Sequence, residues 1–211
     1  MTSVDTEDLA SLIPELGKQF YKLGWVSGTG GGISIRRGKD VYIAPSGVQK
    51  ERIKSAEIYI FDLESEQINQ QASPAEAFAK KPSECTPLFF AAYRLRSAGA
   101  VIHSHSLSAV FATLITPFAE ASEWVCGKME MVKGIKGHTY HDNLVVPIIP
   151  NTPRECELTE SLTEAIQKYP RSYAVLVRGH GVYVWGDTWQ QAKGHAECYD
   201  YLFGATIKAH K

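Results

Sequence analysis

The tripeptide His103-Ser104-His105 closes the apolar run Gly99–Ile102. In a strand, side chains two residues apart share a face, so both imidazoles can chelate one ion while Ser104 points away. A third ligand is offered by His180, bracketed by Gly179 and Gly181 in a turn between two alternating apolar stretches, Val175–Val177 and Val182–Trp185. That pattern predicts an imidazole presented at the edge of a sheet. Three neutral nitrogens suit zinc and leave its fourth position open to substrate, as in catalytic sites. The expectation is one Zn2+ per subunit, held by His103, His105 and His180.

Other residues could work around such an ion. Glu130, in Cys126–Gly134, is a candidate general base, because a carboxylate near a polarised carbonyl can remove an adjacent acidified C–H proton; it also reads as an ordinary surface glutamate. Ser27-Gly-Thr-Gly-Gly-Gly32 is too glycine-dense for a core element, and its closely spaced N–H groups could wrap an anion. It is neither a Walker loop nor a Rossmann fingerprint. Ala44-Pro-Ser-Gly47 and Pro82-Ser-Glu-Cys85 are two further small-residue loops. Singly, each reads as a turn; converging, the three would form a phosphate pocket of modest charge, with Ser27, Thr29, Gly30, Ser46, Gly47 and Ser83 as contacts. His138 and His141 sit in a polar context and stay outside the metal site, and His195 reads as structural or exposed.

The elements that must position these groups follow from periodicity. Helices are expected over 7–23, 87–97, 106–115, 156–169 and 189–208, from apolar spacing and from stop signals such as Gly24 and Gly99. Residues 32–36 and 40–44 alternate around Arg37-Gly-Lys39 as a hairpin, and 57–62 and 144–149 read as strands. Residues 65–82, rich in Gln, Ala, Ser and Lys, are expected to form a flexible loop. Hairpins with helices between them predict an α/β fold: one three-layer α/β/α domain over residues 1–211 with a mostly antiparallel central sheet.

Composition narrows the partners. The 211 residues carry 22 basic and 23 acidic side chains, net charge −1, which gives no footprint for nucleic acid or an anionic membrane surface. The longest apolar runs fall far short of the about 20 residues that span a bilayer. Residues 1–8 lack the basic and apolar regions of a signal peptide, so a cytoplasmic location is expected. Cys85, Cys126, Cys156 and Cys198 have no Cys-x-x-Cys spacing and are expected as reduced thiols.

Gly30-Gly-Gly-Ile-Ser34, Ala44-Pro-Ser-Gly47, Ser83-Glu-Cys-Thr-Pro87, Val101-Ile-His-Ser-His-Ser106 and Arg178-Gly-His-Gly181 together resemble the class II aldolase/adducin family. Within that family, Thr29-Gly-Gly-Gly-Ile-Ser34, Ile43-Ala-Pro-Ser-Gly-Val-Gln-Lys-Glu-Arg52, Cys85-Thr-Pro-Leu-Phe89 and Tyr183-Val-Trp-Gly186 resemble a zinc-dependent lyase of methionine salvage. The resemblance implies the family's fold and removal of water from 5-methylthioribulose 1-phosphate to give 2,3-diketo-5-methylthiopentyl 1-phosphate. It further implies a homotetramer with sites near subunit boundaries. His103, His105 and His180 match the zinc ligands, Glu130 the catalytic acid/base, and Cys85 a substrate-contacting position. In the sugar-phosphate aldolases the acid/base glutamate aligns with Cys85, and a neutral thiol serves that role poorly. The alternatives are an aldolase or 4-epimerase of the same fold, or a non-catalytic adducin-like interaction protein.

Overall fold

The computed structural model describes residues 8–115 and 117–209. Helix α1 (Leu9–Lys22) is capped by Asp8, whose side chain accepts from the Ala10 N–H. The expected start at Glu7 lies outside the described residues. A hairpin follows, β1 (Gly32–Arg37) and β2 (Asp40–Ile43), then β3 (Tyr59–Asp62). Helix α2 (Thr86–Arg96) leads into β4 (Ala100–Ser104) and a short α3 (Leu107–Ala112), which Ser106 caps through the Ala109 N–H. Next come β5 (Glu123–Gly127), β6 (Asn143–Ile149), α4 (Thr159–Lys168), β7 (Ala174–Val177), β8 (Gly181–Gly186) and the long α5 (Trp189–Ala209).

The strands form one eight-stranded sheet in the order β3-β2-β1-β4-β8-β7-β6-β5. The sheet is mixed rather than purely antiparallel: β6 and β7 run parallel, joined by the α4 crossover, and the other neighbours pair antiparallel. Alternation along each strand feeds two cores. Ile33, Ile35 and Ile102 pack with α1, α3 and α5 on one face; Val41, Val101, Val175 and Trp185 pack with α2 and α4 on the other. Two expectations need adjustment. Residues 106–115 hold only six residues of helix, because Thr113 caps its end, and the 156–169 helix begins as a 3-10 turn over Glu155–Leu158. Residues 65–82 run as a loop with a 3-10 turn at Ala75–Ala79, bridged to the sheet side at Phe61–Ile68 and Ser46–Lys81.

The parallel pair matters for function. Ile149 of β6 sits beside Val177 of β7, so the residues that follow each strand, Pro150–Glu155 and Arg178–His180, emerge side by side. They meet the end of β4, because β8 runs antiparallel to β4 with Ser104 opposite Val182 and His103 opposite Tyr183.

Candidate metal and substrate site

His103 is fully buried on β4, its ring stacked on Tyr183 with centroids 4.0 Å apart and planes within 7°. His105 lies one residue past the strand, where its N–H donates to the Trp25 carbonyl at 2.8 Å and keeps the alternation going. His180 follows Gly179, whose φ of +63° is the left-handed geometry that favours glycine. The three imidazoles converge: His103 and His105 bring their Nε2 atoms to 2.8 Å, and His105 and His180 to 3.0 Å. A carboxylate joins them. Glu155 Oε1 lies 2.8 Å from His103 Nε2 and 3.4 Å from His180 Nε2.

The tautomers decide what this cluster can hold. His103 Nδ1 faces the Val182 carbonyl at 3.2 Å and His180 Nδ1 faces Asn151 Oδ1 at 2.9 Å. Carbonyl acceptors at Nδ1 put the proton there and turn the Nε2 lone pairs inward. Burial, reinforced by the neighbouring imidazoles, pulls the His105 pKa down to about 3, and burial likewise lowers that of His103, so both rings are neutral near pH 7. Lone pairs and a carboxylate oxygen crowded this closely repel one another unless a cation sits among them. The four donor atoms, all within 4.8 Å of one another, suit a divalent metal ion.

A cleft of about 500 Å³ opens beside this cluster. It brings together His105, His180, Cys85, Thr29, Gly30, Ser46 and Ser83, drawn from all three small-residue loops, while His103 is buried behind His105 and His180 and does not line it. The close approach is why residue 30 is glycine, since a Cβ there would overlap the His105 ring. Gly47 lines an adjoining hollow that shares Thr29, and exposed Ser27, outside the lining of the cleft, accepts the Gly30 N–H through its carbonyl. Glu130 is not brought to the histidines of its own chain. It follows β5, whose Gly127 pairs with Asn143 at the start of β6, whereas the cleft lies at the far end of β6, about 20 Å away along seven residues of strand. Its side chain is 73% exposed and ion-paired to Lys133 at 2.5 Å.

Glu155 is the residue that sequence reasoning missed. Besides the histidines, its Oε2 accepts from the buried Cys85 thiol at 3.1 Å, and Oε1 lies 3.4 Å from the Tyr183 hydroxyl. Burial works against its ionisation, while the Cys85 thiol that donates to Oε2 favours the charged form. Burial pushes the Cys85 thiol far up, so it stays protonated and donates. Cys85 thus brings a neutral thiol to the cluster, and the carboxylate there, Glu155, comes from the segment after β6.

With this fold and this site, the chain belongs to the class II aldolase/adducin family: the family's domain, described as the class II aldolase and adducin N-terminal domain, matches residues 11–207. Among solved structures it is similar to an L-fuculose-1-phosphate aldolase from Thermus thermophilus (TM-score 0.70, 22% identity, covering 93% of this chain and 92% of that one). It is also similar to a sugar-phosphate aldolase from Thermotoga maritima (TM-score 0.65, 14% identity, 94% and 93%). Within the family, the similarity is much stronger to proteins curated as methylthioribulose-1-phosphate dehydratase. The mouse protein is 53% identical over 98% of this chain and 86% of its own length, the human one 52% over the same shares. The zebrafish protein is 52% identical over 97% and 85%.

Proposed function

We propose that this protein is a hydro-lyase of methionine salvage, which dehydrates 5-methylthioribulose 1-phosphate to 2,3-diketo-5-methylthiopentyl 1-phosphate. The observation that carries the reading is the inward-facing cluster of His103, His105, His180 and Glu155 at the end of a cleft walled by three small-residue loops. The identity of about half of all residues with curated dehydratases across nearly the whole chain supports the choice of reaction.

In this reading the chain is a single catalytic domain. The three histidines would hold one Zn2+, with Glu155 Oε1 beside them, and the ion would supply Lewis acidity at the substrate's C2 carbonyl. Thr29, Gly30, Ser46 and Ser83 seat the phosphate, and Ser27 and Gly47 belong to the same two loops as Thr29 and Ser46. Cys85 contacts substrate beside the metal and fixes Glu155 through its thiol. Glu130 removes the C3 proton; the electron pair delocalises into the C2 carbonyl, and as C3=C4 forms the C4 hydroxyl leaves with the proton that Glu130 returns. The resulting C3 enol tautomerises to the diketone, so the net loss is one water.

Because Glu130 lies at the opposite end of β6 from its own cleft, it serves a neighbouring subunit. A homotetramer with sites at its boundaries meets that need. Supporting it, Leu107, Phe111 and Leu114, exposed at helical spacing on and just after α3, form an apolar stripe that starts two residues past His105. No helix among the described residues is long and apolar enough to cross a membrane.

Subunit mixing tests the arrangement. Glu130→Gln should keep zinc and lose turnover by about 10²–10⁴-fold, and His103→Ala should lose zinc. Co-refolded in equal amounts, the two inactive variants should regain about a quarter of wild-type activity, from boundaries that pair an intact Glu130 with an intact triad. A mixture as inactive as its components would show that Glu130 does not act across a boundary.

A further inference from the structure

We infer that Lys50 is a positioning residue that meets the substrate's phosphate charge from behind the cleft wall. The inference rests on reading the cleft as a phosphate-ester site. That wall carries no lysine or arginine among its described residues, only Glu84 and Glu155 as charged side chains. A phosphate dianion seated there by hydroxyls and backbone alone would face two carboxylates.

Lys50 opens the 3-10 turn Lys50–Arg52 and is only 2% exposed. Its ammonium donates to the Thr29 carbonyl at 2.8 Å and the Val48 carbonyl at 3.2 Å, tying the Ser27–Gly32 loop to the Ala44–Val48 loop. The turn itself is pinned by α1, since Gly17 lies so close to the Lys50 carbonyl that a Cβ would come within 2.5 Å of it. Among the described residues no carboxylate pairs with Lys50; Glu155 and Glu51 act on it only at range, and burial lowers its pKa. A buried cation with two neutral acceptors is costly to maintain. A dianion arriving on the cleft side of Thr29 and Ser46 supplies the missing counter-charge, while Lys50 holds both loops in register. The charge is specific in kind: it favours a dianion over a monoanion of the same shape, which loop order alone would not do.

The test compares competitive inhibition of the zinc-loaded enzyme by methyl phosphate, a dianion near pH 8, and by methyl sulfate, a monoanion. In Lys50→Met with wild-type zinc content, methyl phosphate should weaken about tenfold more than methyl sulfate. KM should rise in parallel, kcat should stay within about threefold, and Lys50→Arg should recover part of the preference. Equal weakening of both anions, or none, would overturn the assignment. Should Lys50→Met not fold, wild-type enzyme with ¹⁵N-labelled lysine side chains replaces it. One exchange-protected ammonium resonance should then shift with methyl phosphate and not with methyl sulfate, and no such shift would overturn the assignment. Wild-type enzyme that binds neither anion would instead overturn the phosphate-ester reading of the cleft, a result distinguishable from failure of Lys50 alone.

Discussion

At the scale of single residues, the account turns on a division of labour between Cys85 and Glu155. The thiol is buried, protonated and 3.1 Å from Glu155 Oε2, which leaves Oε1 aimed at His103 and His180. Groups that orient a metal-binding shell typically change metal affinity by about 10–100-fold when removed. Cys85→Ala should therefore weaken zinc binding about tenfold, and Cys85→Ser, whose hydroxyl can still donate to Glu155, should restore most of it; chelator competition measures both. Equal affinity in wild type and Cys85→Ala would remove the orienting role. The histidines were legible in the sequence, because strand alternation and a glycine-bracketed turn are local patterns. Glu155 was not. Its place depends on β6 lying parallel to β7, a pairing between segments separated by a whole helix, and in the sequence Thr152-Pro153 announces only a turn.

Elements show the same contrast between local and long-range information. The hairpin β1–β2 and helix α1 follow from alternation and from 3.6-residue spacing, and both formed close to their expected bounds. Strand β5 escaped the sequence reading: its Glu-Trp-Val-Cys run is an edge strand with Val125 facing solvent, short and without the turn signals that flank the hairpin. His195 on α5, read as structural or exposed, is buried and joins two elements. Its Nδ1 lies 2.9 Å from the Trp185 carbonyl of β8, and its Nε2 accepts from the Lys136 N–H. Such a ring must stay neutral, and burial lowers its pKa from the ordinary 6.5. The unfolded chain then binds the proton more readily than the folded one, so this contribution to stability is present above about pH 6.5 and is lost as pH falls below it. His195→Gln, which cannot titrate, should show a shallower loss of melting temperature between pH 7 and pH 5 than wild type; an identical slope would mean the imidazole is not the titrating group.

On the scale of the whole molecule, one chain holds the metal-binding cluster at one end of β6 and the proposed acid/base at the other. On that proposal function requires assembly, and the exposed stripe of Leu107, Phe111 and Leu114 follows directly on His105, where a neighbour would dock. Placing charges there, as in Phe111→Asp with Leu114→Asp, should reduce the molar mass measured by light scattering, and turnover should fall with it while each chain still binds zinc. Full activity in a dissociated variant would mean that one chain suffices. The sequence carried the family's motifs but not this separation, because a strand's length and direction within the sheet emerge only from its pairing.

The most direct test of the central claim is to supply purified protein with 5-methylthioribulose 1-phosphate, follow the product, and determine metal content on the same sample, with His103→Ala as the control. The account predicts diketone formation with about one zinc per chain, both lost in His103→Ala. Bound zinc with cleavage of a carbon–carbon bond, or with no loss of water, would contradict it.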